Sequence, residues 1–168
     1  MSTQEIFEKG ISFMEFVNQD QDAYKEKTIE IYEQSSIDKN LEKEIKGVKE
    51  VINVLAFAGI WCPDCMINVP ALQKMGEQNS NFKLSIVSRE GNESYMEAYK
   101  VGGKPKIPTF VFLNDKFETL GVFVERPTVV KQVEANGKET EVIVVKRKYK
   151  KGEYIKNTIE EILDILKK

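Results

Sequence analysis

The sequence predicts an α/β fold, a central mixed sheet flanked by helices and preceded by a helical extension. Three observations carry this. VINVLAFA, residues 51 to 58, is a near-continuous apolar run of strand length, the pattern of a strand covered on both faces. Between Val48 and Lys116 strand-like and helix-like segments alternate and end in a hairpin, as in layered α/β domains. In FAGIWCPDC, Phe57 to Cys65, the only two cysteines lie three positions apart, where that first strand hands over to a helix.

Taken in order, residues 1 to 47 read as a helical extension. Ile6, Phe7, Ile11, Met14 and Val17 form a helical stripe interrupted at Gly10; Asp20 or Asp22 starts a second helix towards Glu33; a third surrounds Leu41 and Ile45. The core, 48 to 126, holds the 51 to 58 strand, the helix MINVPALQKMGEQ, the strand FKLSIVS (82 to 88) and a helix containing Tyr95, Met96 and Tyr99. PTFVFL (108 to 113), a turn at Asn114 and Asp115, and KFETLGVFV complete it as a hairpin. In 127 to 168, ERPTVVKQVEANG reads as a helix started by Pro127 and stopped by Gly137, and NTIEEILDILKK as a closing helix capped by Asn157 or Thr158. EVIVVKRKY, 141 to 149, has strand composition but sits between helices, and we read it as a helix.

Composition narrows the function classes. With 168 residues, 41% hydrophobic and 31% charged, the chain is expected to form one domain with its own core. The net charge is −2 and the pI about 5.5, so no global nucleic-acid footprint exists. The local run KRKYKK, Lys146 to Lys151, reads as a solvated face, with neither nucleic acid nor membrane expected as partner. The amino terminus lacks the pattern of a secretory signal and no apolar run is long enough to span a bilayer, so a cytoplasmic location is expected. There, structural disulfides are rare, which leaves the cysteine pair as a redox centre, half of a metal site or two buried thiols. Histidine is absent, which removes Cys-His catalysis and every histidine-containing metal site; zinc would require a dimer pooling two pairs. No metal is therefore expected.

The position of the pair suggests its chemistry. A helix starting at the cysteines aims free amides and its positive dipole end at the first sulfur. Lowering a thiol pKa from about 8.5 to about 7 takes roughly 2 kcal/mol and brings about half of it to thiolate at neutral pH. Cys62, at the helix tip, is expected to be the exposed attacking thiolate; Cys65, one turn in, the buried resolving thiol. Pro63 fits a first helical turn, where no amide hydrogen is needed. Asp64 suits the dipole, yet its carboxylate pushes a nearby thiolate pKa up and makes the pair more reducing. Trp61 is expected to form a flat apolar rim.

WCPDC resembles the WCxxC active site of the thioredoxin superfamily. Pro70, five positions after Cys65, is similar to the proline within that family's active-site helix, and KIPTFVFL, Lys106 to Leu113, to its strand that begins with a cis proline. With GGKPKIPTFVFL, the long helical preface and the ERP segment, the chain looks most like a bacterial branch of thioredoxin-like proteins with extra terminal helices. The resemblance covers about Val48 to Phe123. It implies a thioredoxin-like fold and a thiol-disulfide oxidoreductase that reduces protein or small-molecule disulfides through a Cys62/Cys65 cycle, with no cofactor beyond that redox-active disulfide. It further implies a cis Pro108 and a substrate-binding segment, Ile107, Pro108 and Thr109, that pairs with an extended peptide. Partners would be disulfide-containing proteins or small thiols, and an electron donor, a reductase or glutathione. Two departures stand out. Thioredoxins bury an aspartate six positions before the first cysteine, where this chain has Ala56, so water, Asp64 or Glu90 would have to move the Cys65 proton; and the family's nearby lysine is replaced by Ser88 and Arg89. The alternative is a non-enzymatic module or redox sensor of the same fold that docks a partner protein.

Overall fold

In a computed structural model describing residues 1–168, a four-stranded mixed sheet runs in the order β2-β1-β3-β4. Strand β1 (Ile52–Phe57) pairs in parallel with β2 (Phe82–Val87) and antiparallel with β3 (Thr109–Leu113), which pairs antiparallel with β4 (Thr119–Val124). All six residues of β1 and all five of β3 are buried, as the apolar runs of these central strands require. Helix α5 (Pro63–Gln78) connects β1 to β2 and passes unbroken through Pro70.

The amino-terminal stripe divides where Gly10 stands, into α1 (Thr3–Glu8) and α2 (Phe13–Val17), each opened by a serine-glutamate capping box. Between them Ile11 exchanges two backbone hydrogen bonds with Ile86, of 2.8 and 2.9 Å, and Ser85 donates to the Phe7 carbonyl. The extension thus closes the outer edge of β2, which would otherwise present unpaired backbone groups. A Cβ on Gly10 would collide with Ser85 Oγ, so only glycine permits this approach. Helices α3 (Ala23–Gln34) and α4 (Lys39–Lys46) follow. Asp22 occupies the α3 N-cap position, but the carboxylate that accepts from the first turn is that of Asp20, bonded to the Asp22 and Lys25 amides.

After β2, the expected helix is short, α6 (Glu93–Met96) with a 3-10 turn (Glu97–Tyr99); Met96 is fully buried and the two tyrosines are half-buried. Beyond β4 come α7 (Thr128–Asn136), α8 (Glu139–Lys150) and α9 (Ile155–Leu166). Residues 141 to 149 are therefore helical: Val145 and Tyr149 are buried on one side, four residues apart. The closing helix starts two residues before Asn157, and neither Asn157 nor Thr158 caps it; Thr158 is fully buried inside, its hydroxyl donating to Asn68. One apolar core of 37 residues joins the sheet to the terminal helices, with Phe110 and Phe123 stacked at 5.3 Å. No helix is long and apolar enough to cross a membrane.

Candidate active site

Cys62 is the N-cap residue of α5, and Pro63 its first helical residue, where a missing amide hydrogen leaves no bond unmade. The Cys62 carbonyl accepts from the amides of Cys65 (3.1 Å) and Met66 (3.0 Å), which folds the chain back so that the two cysteines lie 3.4 Å apart, both as free thiols. The thiol of Cys62 is lowered to about 7, first by its hydrogen bond with Cys65 and further by the amides of Cys65 and Asp64; burial and the Asp64 charge oppose this. The Asp64 effect therefore has the expected sign but does not prevail. Burial pushes the Cys65 thiol well above its ordinary range, and thiolate on Cys62 would push it further. One expectation is corrected: Cys62 is not exposed. It retains 7% of its surface against none for Cys65, because the Ile107 segment lies across it. The pair is differentiated by hydrogen bonding, which lowers Cys62, and by the complete burial of Cys65, which raises it.

Across the sulfur, the Ile107-Pro108 peptide is cis, and Cys62 Sγ donates to the Ile107 carbonyl at 3.7 Å. Thr109 is buried, its hydroxyl held by the Lys106 carbonyl at 2.6 Å, and the Pro108 carbonyl accepts from the Glu125 amide at 2.7 Å. Trp61 is 46% exposed, packs closely over Gly59 and has the Arg89 guanidinium 5.7 Å from its ring. Ala56 is fully buried, paired with Ile86 and Phe110, so apolar groups stand where a proton acceptor would serve Cys65. Glu90 is exposed and engaged by Ser88 and Arg89. It is therefore poorly placed to serve the fully buried Cys65 directly.

Asp64 is instead tied to the carboxy-terminal helices. Thr158 donates to Asn68 Oδ1 (2.8 Å), Asn68 Nδ2 to the Tyr149 hydroxyl (2.8 Å), and Tyr149 to Asp64 Oδ1 (2.7 Å), a one-directional chain running from α9 through α5 and α8 to the first turn of α5. Arg126 donates to Asp64 Oδ2 at 3.2 Å and is itself held by Glu125 (2.7 Å) and Glu134 (2.8 and 3.0 Å). Glu125 has φ +69°, a left-handed conformation uncommon for a residue with a side chain. Burial raises the Asp64 carboxyl above its usual range, against the pull of Tyr149 and Arg126. Burial and then the Asp64 charge keep the Tyr149 phenol protonated.

Sequence reasoning missed Asn68, Tyr149, Thr158 and Arg126. Their signal was weak: Asn68 and Thr158 are polar residues on helices read as apolar stripes, Tyr149 lies inside a basic run, and Arg126 stands in the short link between β4 and α7. The structure brings Trp61, Cys62, Pro63, Asp64 and Cys65 together at the start of α5 with Ile107 across the Cys62 sulfur, whereas Pro108 and Thr109 are buried, with the Thr109 hydroxyl turned to the Lys106 carbonyl. No group of three or more His, Cys, Asp and Glu side chains converges as a metal-ligand set.

A family model described as thioredoxin matches residues 10–141. No curated protein matches the sequence. Among solved structures, a protein of unknown function from Pseudomonas aeruginosa superposes with a TM-score of 0.86 at 26% identity, covering 99% of this chain and 98% of that one. An HIV epitope scaffold gives a TM-score of 0.86 at 25% identity, again covering 99% and 98% of the two chains. The likeness includes both helical ends, so the extensions belong to a shared architecture.

Proposed function

We propose that this chain, which belongs to the thioredoxin family, is a thiol-disulfide oxidoreductase that reduces disulfides of protein or small-molecule substrates. The observation that carries the reading is the asymmetric cysteine pair: two thiols 3.4 Å apart at the start of α5, one lowered to about 7 and in contact with the Ile107 carbonyl, the other fully buried and raised well above its ordinary range. In this reaction the Cys62 thiolate attacks one sulfur of the substrate disulfide, forming a mixed disulfide and expelling a substrate thiolate that takes up a proton. Cys65 then attacks Cys62 Sγ, its proton passing to the departing substrate sulfur, which closes the Cys62-Cys65 disulfide and releases the second substrate thiol. Two electrons leave the enzyme in each cycle, and an external dithiol or glutathione restores them.

Two features support this course. The mixed disulfide removes the negative charge from Cys62, so the charge that opposes ionisation of Cys65 disappears when Cys65 must react. The Ile107 carbonyl, which accepts from the Cys62 thiol, would lose that donor once Cys62 is a thiolate and could then accept from an extended chain. The test is reduction of insulin disulfides by the dithiol form. Cys62→Ser is expected to abolish turnover and Cys65→Ser to accumulate a mixed disulfide visible by mass spectrometry; full activity of Cys62→Ser would overturn the reading.

A further inference from the structure

Beside the reactive loop, a recess of about 260 Å³ separates the first turn of α5 from α8. Pro63, Ile67 and the Tyr149 ring give it an apolar floor, and Lys146 and Lys150, one helical turn apart on α8, stand at its wall with Arg126. Its two acidic residues, Asp64 and Glu134, are both engaged by Arg126. Lys146 and Lys150 are exposed and form no ion pair, nor do Arg147, Lys148 and Lys151 around them. Lys146 and Lys150 are thus the two cations at the recess wall with no carboxylate partner, while Asp64, Glu125 and Glu134 share Arg126.

We propose that this recess receives an acidic side chain of a protein substrate, so that disulfides flanked by glutamate or aspartate are reduced preferentially. The inference rests on the disulfide-reductase reading and adds its substrate class. Pro63 and Asp64, the two residues that follow Cys62, line the recess, so a side chain close in sequence to the attacked cystine is the one that meets it. The apolar floor accommodates the methylenes of a glutamate while the carboxylate meets the two ammonium groups. A protein segment, unlike a small disulfide, lies along the Ile107 segment and the recess together.

The experiment uses two disulfide-bridged peptides, identical except for two glutamates or two lysines flanking the bridge, and measures the second-order rate of their reduction by the dithiol protein. At about 20 mM salt the acidic peptide is expected to react about fivefold faster or more, and the ratio to fall below about twofold at about 0.5 M salt. Lys146→Glu with Lys150→Glu is expected to bring the ratio to one or below. Lys39→Glu with Lys43→Glu changes the net charge equally on α4, at the opposite end of α5, and is expected to preserve it. A wild-type ratio near one, or equal loss in both double variants, would overturn the inference. So would oxidised glutathione losing as much rate as the acidic peptide in Lys146→Glu/Lys150→Glu, since the carboxylate recognised would then be that of a small disulfide. If the wild type reduces neither peptide nor the neutral bis(2-hydroxyethyl) disulfide, the reductase reading itself fails.

Discussion

At the residue scale, the reactivity of Cys62 follows from who donates to its sulfur. Its folded pKa of about 7 lies below the ordinary thiol value, so thiolate forms as pH rises and is lost as pH falls through 7. The rate of alkylation by iodoacetamide is therefore expected to be about half its plateau at pH 7 and about one tenth at pH 6. A midpoint above about 8.5 would show that Cys65 does not stabilise the thiolate. Asp64 acts in the opposite direction through its charge. Asp64→Asn is expected to favour the thiolate, stabilise the dithiol and raise the reduction potential, on the order of 10 to 30 mV. Half-exposed Trp61 beside the pair offers a fluorescence readout in glutathione buffers, and a lowered potential would contradict the sign.

At the element scale, Gly10 decides whether the extension can close the sheet. Gly10→Val forces its side chain into Ser85 and the Ile86 carbonyl, separating the α1-α2 link from β2. The expected outcome is a loss of about 1–3 kcal/mol in denaturant unfolding, with faster proteolysis within the first 20 residues. A variant as resistant as the wild type would show that the backbone pair at Ile11 does not depend on this approach. The same element explains one limit of sequence reading. The apolar stripe over residues 6 to 17 was legible as helix, but the two-residue contact with β2 that splits it is a tertiary pairing 75 positions away, which no local periodicity encodes.

At the scale of the whole molecule, the chain Thr158-Asn68-Tyr149-Asp64 joins three helices to the reactive turn. Thr158→Val leaves Asn68 Oδ1 without a donor, and Tyr149→Phe removes the donor to Asp64 Oδ1; each is expected to destabilise by about 1–3 kcal/mol. Because both act on one buried network, the double variant is expected to lose less than the sum, with a coupling of about 0.5 kcal/mol or more in a double-mutant cycle. Strict additivity would mean that the two bonds work independently. The sequence by itself determined the strand-helix-strand plan and the cysteine pair at the strand-to-helix junction, because these depend on residues within one or two turns of each other. Its ambiguity at 141 to 149 came from β-branched composition, which the burial of Val145 and Tyr149 four residues apart overrode. Only the tertiary structure decided that Asp64 faces Tyr149 and Arg126, that Cys62 is covered by Ile107, and that Lys146 and Lys150 stand beside the reactive loop. These contacts join residues 45 to 85 positions apart, and packing of the whole chain, not local propensity, selects them.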